Sequence, residues 1–440
     1  MIFVPSEVGT ALNMLCSNGF EAYIVGGCVR DSLLGEIPKD YDITTSALPY
    51  EVESVFKGFK VIETGIKHGT VTVLINGTPL EITTYRVDSE YTDNRHPTSV
   101  SFTKSLYEDT ARRDFTMNAI AYNSKSGLVD YYSGEDDIRN RLIRCVGDAD
   151  KRFNEDALRI LRAVRFSSVL GFEIEENTKQ AIFKNKELLS KISSERISSE
   201  LVKLLCGKNV RNVIEEYVDV LGVVIPELLP MKNFDQHNFH HIYDILTHTA
   251  VAVESIEPQP VLRLSALFHD VGKPRCFTVA DGIGHFYGHA PIGAEMADKI
   301  LEKLKFDNTT RNTVVKLIKL HDTQIECREN VIKRSMNKNS PEIFFMLLKL
   351  KRADTLALSP EYHNRLKLFD ELETMAHKIL EENACFSLKD LAVNGSDIIS
   401  LGVPPSKKVG IILDRLLNKV INGKLPNEKD ILLDNAKNMI

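Results

Sequence analysis

No two of the seven cysteines (Cys16, Cys28, Cys145, Cys206, Cys276, Cys327, Cys385) stand as a CxxC pair. That spacing is absent, so neither a zinc site nor a disulfide framework is expected from them. They read as free or buried thiols of a reducing compartment, which makes a cytoplasmic location the expectation. No apolar run approaches the roughly 18 residues of a membrane span. Nor does the N-terminus pair a basic stretch with an apolar one, as a secretion signal would. A membrane partner is not expected. Positive charge is not in excess either: 55 Lys and Arg against 61 Asp and Glu leave a net charge of −6. A polyanionic partner would therefore have to be held by a local basic patch. Internal repeats and low-complexity tracts are missing as well, which excludes repeat architectures.

What is there is ordinary globular composition, 43% hydrophobic and 26% charged, over 440 residues. That length allows two to four domains, each with its own core. Residues 22–25, 41–43, 70–75 and 80–85 read as strands, and 8–17 and 49–56 as helices. From about residue 150 the strand signal fades. Apolar residues then recur at three- and four-residue spacing, as in 157–166, 197–205, 242–253, 294–304 and 344–350. The expected class is α+β: a mixed head followed by a nearly all-helical remainder. Residues 171–172, 224–231, 257–260, 337–341 and 383–386 read as linkers.

The densest chemistry lies at Gly26-Gly27, Arg30, Asp40 and Asp42. A strand ending in two glycines lets the backbone approach a phosphate, because no Cβ intervenes. A helix opening at Val29 would aim free N–H groups at the same phosphate, and Arg30 could add a bidentate contact. Asp40 and Asp42, two apart on a strand, project from one face. Such a pair can hold two magnesium ions for in-line phosphoryl transfer. Glu81, on a later strand, could supply a third carboxylate.

These motifs resemble the nucleotidyltransferase signature of bacterial class II CCA-adding enzymes and poly(A) polymerases, and the similarity runs along most of the chain. The resemblance implies a polymerase-beta-like head that adds CMP and AMP to a tRNA 3′ end from CTP and ATP. It implies that Arg113, within Arg112-Arg113-Asp114 and with Asn118 downstream, contacts the triphosphate. Residues 130–144, including Asp136, Asp137 and Ile138, resemble the hinge between head and neck. The polar stretch 86–102 reads as a mobile loop and resembles the flexible loop of complete CCA enzymes. Arg95, His96 and Pro97 stand there where relatives usually carry Arg-Arg-Pro.

Glu155, Asp156, Arg159, Arg162, Arg165 and Phe166 resemble the nucleotide-selecting helix. Read directly, an Asp acceptor beside an Arg donor complements an amino group next to a ring nitrogen. Cytosine and adenine present that edge; uracil and guanine present the reverse. The same pair at i, i+3 also suits a surface salt bridge.

A second constellation follows in the helical half. It comprises His248, His269-Asp270, Lys273, His285, His289, His321-Asp322 and Asp354. Imidazole and carboxylate ligands on successive helices suit a borderline or hard divalent metal. Gly272 and Pro274 are expected to end the helix that carries His269. The pattern resembles the HD phosphohydrolase superfamily. That likeness implies His248, His269, Asp270 and Asp354 as ligands of a magnesium, manganese, nickel or cobalt ion. His289 and His321 would serve a second metal or phosphate, and Lys273 would touch the scissile phosphate. His237, His240 and His241 read as linker residues. Residues 390–410 resemble a family tail whose helix approaches tRNA, with Ser406, Lys407 and Lys408 where relatives often have Gly-Pro.

The expected organisation is a head over 1–137, a helical neck over 138–200, a helical RNA-binding body over 201–237, an HD domain over 238–356 and a tRNA-binding tail over 357–440. Poly(A) addition, or addition of CC or A alone, remains the alternative. A metal-dependent phosphohydrolase whose N-terminal region only binds RNA is the rival from another class. Oligomeric state is left open.

Overall fold

A computed structural model describes residues 2–63, 65–66, 69–88 and 100–440, in two compact units, 1–229 and 230–440. The boundary falls inside the expected linker at 224–231, so head, neck and the expected body up to residue 229 share the first unit, and residues 230–237 of that body belong to the second. The central part of the expected loop, 89–99 with Arg95, His96 and Pro97, lies outside the described residues. Its flanks, Arg86–Asp88 and Val100–Phe102, pair as an antiparallel ribbon.

The first unit opens with α1 (Ser6–Ser17). Its buried residues Val8, Ala11, Leu12 and Leu15 repeat at helical spacing, so one face seals the sheet. Then come β1 (Ala22–Val25), α2 (Gly27–Leu33), β2 (Asp42–Thr45), α3 (Pro49–Val55), β3 (Lys60–Ile62), β4 (Thr70–Ile75) and β5 (Thr78–Thr84). The ribbon strands are β6 and β7. After them come α4 (Leu106–Ala111), β8 (Ala121–Asn123) and β9 (Gly127–Val129). Seven strands form one sheet in the order β3-β4-β5-β2-β1-β8-β9. Within it β2 and β5 run parallel, and their register sets Asp42 opposite Glu81. In-register neighbours share a face, so these two carboxylates leave the same side of the sheet.

Two expectations are corrected here. α2 opens at Gly27, not at Val29, with Gly26 at φ +84 preceding it. Asp40 precedes β2 and is not part of it, so the two carboxylates do not share a strand.

The rest of this unit is helical: α5 (Gly134–Arg139), α6 (Ala149–Glu155), α7 (Leu158–Leu170), α8 (Glu176–Asn185), α9 (Ser194–Leu205) and α10 (Val210–Val224). The one departure is a two-stranded parallel pair, β10 (Leu142–Ile143) with β11 (Glu173–Ile174). The segment expected to select the nucleotide is not one helix. α6 ends at Glu155, and Asp156 takes extended geometry (φ −135, ψ 103) before α7 begins. Gly171, at φ +67, closes α7 in the left-handed conformation glycine adopts freely.

In the second unit α11 (Ile245–Ser255), α12 (Pro260–Phe268), the short α13 (Lys273–Cys276), α14 (His289–Lys303), α15 (Asn308–Leu320), α16 (Glu329–Asn339) and α17 (Pro341–Leu356) follow one another. A β-hairpin, β12 (Thr278–Ala280) with β13 (Ile283–His285), separates α13 from α14. α12 already stops at Phe268, and Pro274 opens α13 where proline's missing N–H costs nothing. Gly272 has another role. A Cβ there would sit 2.7 Å from Gly293 N, so only glycine lets α14 come this close. α18 (Arg365–Glu381) packs on α16 through Ile332, Met336, Leu372 and Ala376. The tail, α19 (Gly395–Ser400), α20 (Lys407–Ile421) and α21 (Lys429–Lys437), has its own core around Ile398, Ile412, Leu416 and Leu432. Ser406 caps α20 through its hydroxyl, and Lys408 Nζ donates to Ile440 O at 3.0 Å.

Candidate functional site

A cleft of about 1110 Å³ opens where β1, β2 and α2 meet α7. Gly26-Gly27, Arg30, Asp40, Asp42, Arg113 and Asn118 line one side of it. A Cβ on Gly26 would lie 3.1 Å from Arg113 Nη1. With φ at +84, that position needs glycine both for its backbone and for the arginine beside it.

Asp40 and Asp42 are solvent-accessible carboxylates on the cleft floor. Loss of hydration pushes the Asp42 carboxyl above its ordinary value. Asp40 reinforces that shift, and the Arg113 charge opposes it. Two neighbouring carboxylates on one cleft floor form a donor set suited to a hard divalent cation. Glu81 sits beside Asp42 in register. The described residues hold only two groups of three convergent metal-type ligands, however, and neither contains Asp40, Asp42 or Glu81. Its placement as a third ligand is not borne by convergence.

Behind the glycines a polar chain ties head to neck. Arg30 Nη1 donates to Asn118 Oδ1 at 2.7 Å, and Asn118 Nδ2 donates to Asp114 Oδ1 at 3.0 Å. Asp114 Oδ2 accepts from Arg162 Nε and Nη2 at 2.9 and 2.6 Å. Arg165 lies 3.8 Å from the centre of the Phe166 ring, and Arg30 and Arg162 also face that ring. Arg162, Arg165 and Phe166 therefore present the neck to the cleft.

Asp156 and Arg159 are placed otherwise than expected. Their side chains bond to other partners and not to each other, and neither is among the cleft-lining residues. Asp156 Oδ2 accepts from Arg196 Nη2 at 2.8 Å, and its Oδ1 accepts from Leu158 N at 3.1 Å. Arg159 is buried, donating to Glu155 Oε2 and to the carbonyls of Arg152 and Arg112. The reason is the extended backbone at Asp156, which takes it off the face of α7. Arg141, Lys203 and Lys208 also line the cleft. Scattered over 68 positions, they carried no sequence signal, and only the fold gathers them.

The second unit brings its expected residues together. His248 lies within α11, His269 caps the end of α12, His289 opens α14, His321 caps the end of α15, and Asp354 sits near the end of α17. Nitrogens of His248 and His269 and an oxygen of Asp354 lie within 4.8 Å of one another. Asp270, His289 and His321 form a second such group. The groups touch, since Asp270 Oδ2 lies 3.2 Å from His269 Nε2 and Asp270 Oδ1 lies 3.5 Å from His289 Nε2.

All four imidazoles are anchored alike. Each Nδ1 meets a backbone carbonyl: His248 with Ala357 O at 3.2 Å, His269 with Ala266 O at 2.7 Å, His289 with Phe286 O at 2.9 Å and His321 with Ile318 O at 2.6 Å. A donor at Nδ1 leaves each Nε2 as a lone pair aimed into the cluster, the tautomer a metal requires. Burial opposes charge on Asp270 and Asp354, yet His269 and His248 hold both carboxyls well below the usual range, helped at Asp270 by Lys273.

Lys273 is not where the resemblance puts it. Its ammonium lies 2.7 Å from Asp270 Oδ2 and donates to Gln236 Oε1 at 2.9 Å, with the residue only 6% exposed. It orients Asp270 and has no free reach toward a substrate. His285 stacks on Tyr287 outside the cluster. The residue missed is His241, whose ring centre lies 5.0 Å from that of His248. Burial, then Lys273 and His248, push its pKa down to about 3.

Comparison with known proteins bears on both units. Residues 22–144 match the poly A polymerase head domain, and 171–230 match a probable RNA- and SrmB-binding site of polymerase A. Residues 286–436 match the putative domain 2 of tRNA nucleotidyltransferase. A CCA-adding enzyme of Ligilactobacillus salivarius is 33% identical over 99% of this chain and 98% of its own. One from Latilactobacillus sakei is 34% identical over 99% of each. The crystal structure of a Bacillus stearothermophilus CCA-adding enzyme in complex with CTP superposes with a TM-score of 0.74 at 30% identity, covering 99% of this chain and 98% of that one. With its nucleotidyltransferase head and helical remainder matched end to end, the chain belongs to the CCA-adding enzyme family of RNA nucleotidyltransferases.

Proposed function

We propose that this protein completes tRNA 3′ ends by adding C, C and A from CTP and ATP. One observation carries the reading. Asp40 and Asp42 share a cleft with Gly26-Gly27 and Arg113, in a chain similar over its whole length to CCA-adding enzymes. The primer's 3′ oxygen attacks the α-phosphorus, the bond to the bridging oxygen breaks, and pyrophosphate leaves. Gly26, Gly27, Arg30 and Arg113 receive the triphosphate. Asp40 and Asp42, with Glu81 beside them, would hold magnesium, which supplies charge to activate the attacking hydroxyl and to steady the pyrophosphate. The cleft exceeds the roughly 300–1,000 Å³ of ordinary small-molecule sites, leaving room for a primer end beside the nucleotide. Asp156 and Arg159 read the base edge once Asp156 exchanges Arg196 for the nucleotide, and Arg162 and Arg165 present the neck to it. The head (1–137), neck (138–200) and body (201–237) serve this reaction, and the tail (357–440) holds tRNA.

The experiment is incubation with tRNA lacking its last three nucleotides, plus labelled CTP and ATP. Products ending in CCA support the proposal. Products ending at CC, extended by A alone, or carrying an A-tract identify one of the alternatives.

A second activity belongs to residues 238–356. Four imidazoles locked by their Nδ1 atoms, with the buried Asp270 and the part-exposed Asp354, fit a divalent metal centre of the HD phosphohydrolase type. His248, His269 and Asp354 would hold one ion, and Asp270, His289 and His321 another. Manganese, nickel, cobalt and magnesium all suit this set, and the bound ion would supply an activated water for phosphoester hydrolysis. Release of phosphate from 2′,3′-cyclic or 3′-phosphorylated RNA ends, in the presence of each metal in turn, tests it.

A further inference from the structure

His241 stands seven residues before the first histidine of the second centre, in a segment with no helical period. Nothing in that pattern marks it. The fold nevertheless sets its ring edge-to-face on His248, at an interplanar angle of 78°. It is half-buried, whereas His248, His269, Asp270, His289 and His321 are buried. The cluster's own solvent-facing member is Asp354, whose side chain is 29% exposed.

Two details separate His241 from the ligands. It belongs to neither convergent group, so it is not placed to coordinate a metal with them. Its Nδ1 is buried yet has no hydrogen-bond partner within the protein, whereas the Nδ1 of every ligand histidine is anchored. A buried polar atom without a partner is rare and marks a place where a missing group belongs. The segment is also held in place. Gly284 N donates to His237 O at 2.8 Å, Asn238 Nδ2 donates to Gly284 O at 3.3 Å, and Ser359 N donates to His240 O at 3.0 Å. Lys273, the other candidate to meet a substrate, is consumed by Asp270 and Gln236.

We propose that His241 is the substrate-contacting imidazole of the second centre, its Nδ1–H donating to a phosphoryl oxygen of a phosphate ester at an RNA end. The proposal rests on the reading of that centre as a metal-dependent phosphohydrolase. Lys273 is then a positioning residue acting through Asp270, and recognition of the phosphate falls to a group the ligand pattern does not include.

The test uses the full chain in an Asp42→Asn background, so that the head does not hold the cation, loaded with manganese and with inorganic phosphate as the probe. Metal per chain is measured by atomic emission, phosphate affinity by calorimetry and folding by thermal melting, for that parent, His241→Ala, His241→Asn and His241→Gln. Asparagine returns a donor near the Nδ1 position, and glutamine places one near Nε2. The expected result is unchanged metal content in all four, a roughly tenfold loss of phosphate affinity in His241→Ala, and recovery in His241→Asn but not in His241→Gln. Unchanged phosphate affinity in a folded, metal-loaded His241→Ala overturns the proposal. Loss of metal in that variant overturns it too, by making His241 a ligand. If the parent takes up no metal, the phosphohydrolase reading itself fails and the proposal falls with it. Uptake of metal with no effect of His241→Ala leaves that reading standing and removes only His241.

Discussion

Arg162 grips Asp114 with two guanidinium nitrogens, Nε at 2.9 Å and Nη2 at 2.6 Å. One residue stands on the neck helix, the other on the head, and the cleft lies against both. Asp114 is 9% exposed, and Arg162 with Asn118 outweighs the cost of its burial and holds its carboxyl far below the usual range. Through Asn118 the same carboxylate reaches Arg30, so a single network spans the head side of the cleft and its neck side. The Arg-Arg-Asp motif thus contributes Arg113 to the cleft wall and Asp114 to the network that joins head and neck.

Arg162→Lys should weaken this network although it keeps the charge. A lysine offers a point donor where Asp114 receives a planar fork. Arg162→Ala should cost about 1–3 kcal/mol, seen as a lower thermal midpoint, because Asp114 stays buried with half its partners gone. Nucleotide addition should fall more than stability does. A variant with the wild-type midpoint and rate would show the pair to be incidental.

Asp42→Asn should separate activity from stability in opposite directions. Addition should drop by at least about tenfold, since a neutral amide cannot hold the cation that the reaction needs. The thermal midpoint at neutral pH should rise. The sign follows from the raised pKa: the folded chain favours the protonated acid, so the charged carboxylate of the wild type carries a penalty above the folded pKa. That penalty disappears below the unfolded value. The midpoints of the two proteins should therefore converge as pH falls through the carboxylate range, and a gap that persists there would contradict the account.

Much of this organisation was legible in the sequence, for identifiable reasons. β1 and β4 are buried strands with clear signals, and their observed ends match the expected ones. His248, His269, Asp270, His289, His321 and Asp354 were legible because metal ligands must be histidines or carboxylates, and few lie in helical surroundings otherwise. Three things were not. The break at Asp156 was hidden because the apolar spacing of α7 continues backward through Ala157, while the bond that engages its other carboxylate oxygen comes from Arg196, 40 positions away. Lys273 read as a substrate group because its sequence neighbours are ligands. Only the distance to Gln236, 37 positions away, shows it to be occupied. His241 has no periodic relation to His248 and is recruited by the turn before α11, where Asp244 caps the helix.

His269→Ala should remove metal from the second centre and any phosphate release, yet leave nucleotide addition intact. The two sites share no residue, since the transferase cleft is built wholly from 26–208. Asp270→Ala is the poorer probe, because it also strands the buried Lys273 ammonium at a cost of about 3–5 kcal/mol. Metal content and melting should be read together. Added manganese should raise the wild-type midpoint through binding to the folded state, and should raise it less for His269→Ala, which keeps only the cation site of the head. Equal stabilisation of both proteins would place the metal elsewhere.

Base choice is where the geometry presses hardest on the chemistry. Asp156 is engaged with Arg196 at 2.8 Å, and Arg159 with Glu155 at 2.8 Å. If Asp156 accepts from the amino group of C or A, it must trade Arg196 for the base, and that exchange sets the discrimination. Asp156→Ala should then reduce the preference for CTP over UTP by roughly ten- to a hundredfold, the span of about 1–3 kcal/mol for one mismatched buried polar group. Triphosphate contacts through Gly27, Arg30 and Arg113 remain, so binding of all nucleotides should weaken far less. Arg159→Ala should also erode selectivity. Arg139→Ala should not, because Arg139 is an exposed partner of Glu135 and Asp136. Arg196→Ala supplies the decisive contrast: freeing Asp156 should preserve or sharpen selectivity, whereas a purely structural Asp156–Arg196 bridge predicts the same loss from either side. Comparison of kcat/KM for the four nucleotides decides between them. Equal slowing of all four in both Asp156→Ala and Arg196→Ala would make the bridge a brace for the start of α7 and end the base-reading account.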